Sequence, residues 1–175
     1  MEPEDIKRLH SIAFALESVK VTLHDDVSIN VSGIKIEGRG GEILNIPRWA
    51  AQILESKGHA KVEEKDMVVE MKQTLVKENV QGDFELSTLE PYFYIRLRSH
   101  MKRLSGRDAD RVSSMLNTLV RKRQGKVVRL ANSAALSLDL EKKLAVEEKI
   151  LYENIHTIST NFTKSILEGM SRDDS

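Results

Sequence analysis

Few residues of this 175-residue chain stand at spacings that could do chemistry. Glu153 and His156 form an E-x-x-H pair, the spacing by which one helical turn offers a carboxylate and an imidazole to a metal. A carboxylate-bridged two-metal site needs a second such pair and two further inward glutamates, and no second copy occurs. His10, His24, His59 and His100 have no neighbour at ligand spacing. His24-Asp25-Asp26 stands beside no nucleophile and reads as a polar turn. The stretch EGRGGE, Glu37 to Glu42, has the glycines of a phosphate loop but lacks its Lys-Ser/Thr pair and opens no helix, so it reads as a hairpin turn. With no cysteine, disulfides and thiolate metal ligands are excluded, and a reducing intracellular compartment is the expectation. These residues predict a protein with no active site, metal or cofactor of its own.

Charge is the remaining chemical feature. The net charge is zero, but residues 1–95 carry 11 Lys+Arg against 17 Asp+Glu, residues 96–129 carry 11 against 2, and residues 130–175 carry 5 against 8. Arg96, Arg98, Lys102 and Arg103 fall in one helical stretch; Arg121, Lys122, Arg123, Lys126 and Arg129 fall in the next. Lys122, Lys126 and Arg129 share a helix face, whereas Arg123 lies near the apolar stripe and is placed to reach an acid across a helix–helix interface. Such a surface attracts nucleic acid, because each neutralised phosphate releases counterions. Aromatic residues do not interleave with the basic ones as a base-stacking platform requires. A protein-facing or solvated basic face is therefore the favoured reading, and direct nucleic-acid contact the alternative.

The elements that must carry these residues follow from periodicity. Ile6, Leu9, Ala13 and Leu16 recur at helical spacing from Glu4 to Leu16. Val19 to Leu23 and Val27 to Gly38 alternate and are β-branched, so they predict strands. In NIPRWAAQILESKGHAKV, Pro47 opens a short helix, and Trp49, Ala50, Ile53 and Leu54 form its apolar face. Gly58 stands just past its end, and a strand follows. So short a helix is unstable alone, so Trp49, with Pro47 and Ile53, is expected to anchor it by burial on the strands. From Asp66 onward the pattern is helical. Met67, Met71 and Leu75 mark one helix. Ser87 and Glu90 suggest a capping box for a second, which carries Phe93, Leu97 and Met101. Val112, Leu116, Leu119 and Val127 mark a third, and Leu144, Leu151, Ile155, Ile158, Phe162 and Ile166 a fourth. The expected fold is α+β: a small β-rich domain over residues 1–64 with a short Trp-bearing helix, then an α-helical bundle of about four helices over residues 65–175. No apolar run approaches the ~20 residues of a membrane span, and no signal peptide is visible.

Three stretches in this order resemble a known family. They are the apolar–Pro–x–Trp helix start in EILNIPRWAAQILESKGHAKV, the Phe93-Tyr94 pair leading into IRLR, and LVRKRQGKVVRLA followed by LAVEEKILYENI. The arrangement is similar to subunits of the GINS complex of DNA replication, in the archaeal form with the small β domain first and the helical domain second. The helix Glu4 to Leu16 is an addition to that pattern. The resemblance implies a non-catalytic scaffold that forms hetero- or homo-tetramers with sister subunits and joins the MCM helicase and a RecJ-like protein, in the cytoplasm at the nucleoid. It implies that Phe93, Tyr94, Leu97, Leu151, Ile155 and Phe162 serve the oligomer interface. Arg48, Arg121, Lys122, Lys126 and Arg129 would face a partner or DNA.

Overall fold

A computed structural model describes residues 3–31 and 33–170, with side chains described through residue 168. The chain divides into two compact units, Met1–Asp66 and Met67–Ser175. The first is β-rich and the second helical, an α+β protein.

In the first unit, α1 (Pro3–Leu16) precedes β1 (Ser18–Leu23). Alternation along β1 sends Val19, Val21 and Leu23 into the core and Ser18 and Lys20 outward, as a period of two requires. β4 (Ile43–Pro47) and β5 (Ala60–Val62) flank β1 on either side, both antiparallel, with Val19 opposite Ile46 and Val21 opposite Leu44 and Val62. β2 (Val27–Val31) and β3 (Ile34–Gly38) form a separate antiparallel ribbon, whose Val27 and Ile36 join the same core. The strand Ile43–Pro47 was hidden in the sequence because it ends on Pro47, which also precedes a helix. The turn EGRGGE joins β3 to β4 and folds back on the β1–β2 connection. Gly40 donates to Asp26 Oδ1 at 2.9 Å, and Gly41 to the Leu23 carbonyl at 2.7 Å. A Cβ on Gly40 would meet the His24 carbonyl oxygen at 2.9 Å, so only glycine allows this approach. The polar turn His24-Asp25-Asp26 and the glycine turn thus serve one another structurally.

α2 (Arg48–Ser56) lies on this sheet with Arg48, Ala50, Ala51 and Leu54 buried. Ile53 is 47% exposed and Trp49 only half-buried at the margin of the core, contrary to the expected anchor pair. The helix is rotated from the expected face because the small Ala50 and Ala51 let its backbone sit close to the strands. A face built on Trp49 would have held the backbone away. Pro47 keeps its expected place as the residue before the helix, and Gly58, at φ +79°, follows its last turn.

The second unit comprises α3 (Met67–Val80), α4 (Phe93–Met101), α5 (Gly106–Ser133), the single turn α6 (Leu138–Glu141) and α7 (Val146–Met170). α5 is the 28-residue axis on which α3, α4 and α7 pack. Met67, Met71, Phe93, Leu97, Val112 and Leu119 fill one end of the core; Leu86, Val127, Ala131 and Tyr152 fill the other. The expected capping box does not form. α4 begins at Phe93 behind Tyr92, whose φ of +57° is the only positive value of a non-glycine among the described residues, and Ser87 is buried elsewhere.

Candidate assembly surface

The helical unit is built around a buried ion network. On α3, Met67, Met71, Thr74 and Glu78 occupy one buried face, so periodicity carries a carboxylate into the core. On α5 the same logic buries Arg123 and Lys126 beside Leu119 and Val127. Arg123 is fully buried, and all five of its N–H donors are used. Nε and Nη2 grip the Glu148 carboxylate at 2.6 and 2.8 Å. Nη1 bonds Glu78 and the Ser87 carbonyl, the latter at 2.9 Å. Nη2 also reaches the Lys143 carbonyl at 2.9 Å. Lys126 Nζ bonds Glu78 Oε2 at 2.9 Å and the Glu78 carbonyl at 3.0 Å. Ser87 donates its hydroxyl to Glu78 at 2.5 Å, and the Tyr94 hydroxyl donates to Glu148 at 2.7 Å. Two cations meet two anions, and the network ties α3, the α3–α4 connection, α4, α5 and the start of α7 together.

Burial opposes the charge on Glu78, but the Lys126 ammonium, Ser87 and the Arg123 guanidinium outweigh it and hold the carboxyl below its usual range. Burial likewise opposes the charge on Arg123, and Glu148 more than restores it, so its guanidinium stays charged. Burial and the neighbouring Glu148 push the Tyr94 phenol well up, leaving it a neutral donor. A second bidentate pair, Arg96 to Glu70 at 2.9 and 2.6 Å, ties α4 to α3.

The basic block is therefore partly internal. Lys126, expected on a partner-facing surface, is 1% exposed and structural. The expected reach of Arg123 to an acid at a helix interface is found. Lys122 donates to Asn79 at 2.5 Å, Arg129 lies 3.5 Å from Asp83, and Arg121 is exposed. Arg48 is buried as well, not exposed: it pairs with Glu64, lies 3.6 Å from Glu17, and stacks over the Phe14 ring at 4.2 Å. The spacing Arg48, Ala51, Leu54 carried this signal, since each step is one helical turn.

Of the expected interface residues, Phe93 and Leu97 belong to the unit's own core. Tyr94 and Leu151 are half-buried and line an apolar groove of about 440 Å³ with Leu97, Met101, Leu116 and Val120, edged by Arg98 and Glu147. Ile155 is half-buried on α7. Beyond it the helix runs out of its own core: Ile158 is 66% and Phe162 67% exposed, and Ile166 follows one turn later, also exposed. Ile155, Ile158, Phe162 and Ile166 form one stripe at spacings of three and four. The E-x-x-H pair is used otherwise: His156 Nδ1 meets the Ala131 carbonyl at 2.9 Å, its ring stacks on Tyr152, and Glu153 is exposed. Among the described residues no three His, Asp or Glu side chains gather as metal ligands, and no helix is long and apolar enough to cross a membrane.

The helical bundle is knit by internal ion pairs and leaves an apolar helix face outside, and a β-rich unit precedes it in the chain. The family model described as the GINS complex protein helical bundle domain (Sld5) matches residues 66–167, and the chain belongs to that family. Among curated proteins, none matches the chain.

Proposed function

We propose that the chain is a non-catalytic subunit of a GINS complex of the archaeal arrangement, and that it scaffolds the MCM replicative helicase with a RecJ-like partner. The helical domain, residues 65–175, joins sister subunits. The β-rich domain, residues 1–64, serves the larger helicase assembly. The observation that carries this reading is the α7 stripe, in which Ile158, Phe162 and Ile166 stand in solvent on a helix whose N-terminal half is held in the core. Three large apolar side chains at helical spacing on one exposed face mark a protein contact, because soluble surfaces rarely leave such a row uncovered. Tyr94, Leu151, Ile155 and Phe162 remain the interface candidates; Phe93 packs against the Tyr94 ring, and Leu97 lines the groove with Tyr94 and Leu151.

Affinity capture of the tagged full-length chain from its native host tests the proposal. Sister GINS subunits and MCM should co-purify in fixed proportion, and the isolated complex should raise MCM unwinding without ATPase activity of its own. Recovery of the chain without any GINS subunit would overturn it.

A further inference from the structure

Of the eleven basic residues between 96 and 129, Arg96, Arg123 and Lys126 are consumed inside the helical unit, and Lys122 and Arg129 lean on Asn79 and Asp83 near α3. The exposed cations of α5 define a different surface. Arg107, Arg111, Ser114, Thr118 and Arg121 are all exposed and recur at intervals of three or four residues, so they form one stripe along the outer face of α5. From Arg107 to Arg121 it spans about 21 Å at 1.5 Å per residue. Arg98 and Lys102, also exposed, extend the positive charge around the α4–α5 corner. Asp108 and Asp110 are the only carboxylates of residues 96–129, against five exposed cations, Arg98, Lys102, Arg107, Arg111 and Arg121.

We infer that this face binds the phosphate backbone of double-stranded nucleic acid without regard to sequence. Charge selects a polyanion, and the side chains between the arginines select its kind. Ser113, Ser114, Asn117 and Thr118 line a shallow polar depression beside Arg121, with Asp110 at its N-terminal end, and the stripe itself bears no apolar residue. An acidic protein segment would need an apolar anchor for a specific contact, and a single strand would need aromatic platforms for its bases. A duplex backbone needs neither, and a straight helix of this length passes along several phosphates, which lie 3.4 Å apart per strand along the axis. The inference does not rest on the assembly role of α7.

Fluorescence anisotropy of a mixed-sequence DNA duplex with the full-length protein tests it, alongside a single strand of equal length and a polyglutamate peptide, from 50 to 200 mM salt. Engagement of three phosphates predicts a log–log salt slope of about −2.7 for the duplex. Arg107→Gln, Arg111→Gln and Arg121→Gln combined should flatten that slope to near zero and lower affinity at 50 mM salt at least tenfold. The corresponding triple lysine variant should retain binding. Light scattering and circular dichroism on each variant establish that fold and assembly are intact. Duplex binding that the glutamine variant leaves unchanged, absence of duplex binding at 50 mM salt, or polyglutamate or single strand bound as tightly as duplex would each overturn the inference.

Discussion

Arg48 and Arg123 are both buried arginines on helices, and their surroundings differ in a way that separates the two units. Arg123 is enclosed on all sides by groups from four segments, and no donor is left over. Arg48 sits at the margin of its unit, with the Phe14 ring on one face and Glu17 and Glu64 at its tip, while its Nε is buried without an acceptor. Both carboxylates around Arg48 are partly in water, at 42% and 22% exposure, whereas Glu78 is fully enclosed. A complete network in low dielectric specifies one arrangement of helices. An incomplete one at a surface fastens α1 and the end of the β unit while remaining easier to open.

The largest effect should come from Arg123. Arg123→Met strands Glu148 without its main partner and leaves Glu78 with Lys126 as its only cation, and should cost the helical unit about 3–5 kcal/mol in urea denaturation. A loss below about 1 kcal/mol would mean that the network is not what holds the helices. Acid sharpens the same point. The pKa of Glu78 is lower folded than unfolded, so its stabilising contribution is complete above the unfolded value of about 4.3 and is lost as pH falls through the lower folded value. Melting temperature of the helical unit should fall as pH drops below about 4, and Glu78→Gln should blunt that fall while lowering stability at neutral pH.

Arg48→Met should cost the β unit less, about 1–3 kcal/mol for its charge-assisted bonds and ring contact. It should free α1 to exchange amide hydrogens faster while β1 stays protected. An Arg48 loss equal to that of Arg123 would erase the distinction between a closed and an open network. Smallest of all, Arg129→Glu should change stability by less than about 0.5 kcal/mol, because its side chain is half exposed beside an exposed Asp83.

Periodicity carried most of the fold in the sequence. The alternation in VKVTL gave β1, and the helical stripes gave α3, α5 and α7 with their apolar members. It failed where polar residues occupy buried positions. Glu78 stands seven residues after Met71, and Lys126 seven after Leu119, so both lie on core faces that an apolar-only reading passes over. Arg123 was legible because it stood nearest the stripe with acids available elsewhere. Trp49 misled through its size: the tighter packing of Ala50 and Ala51 set the rotation of α2, and bulk alone does not reveal that. The exposure of Phe162 was invisible as well, since a stripe has the same spacing whether its own fold or a partner covers it.

On the proposed function, the outer half of α7 is the surface through which the chain assembles. Multi-angle light scattering on the full-length protein with its sister GINS subunits, wild type against Ile158→Asp with Phe162→Asp, tests it most directly. Because both side chains are about two-thirds exposed, the double variant should keep its helical content and melting temperature. The expected result is a folded chain that no longer enters the oligomer. A double variant that assembles with wild-type mass would place the interface away from α7.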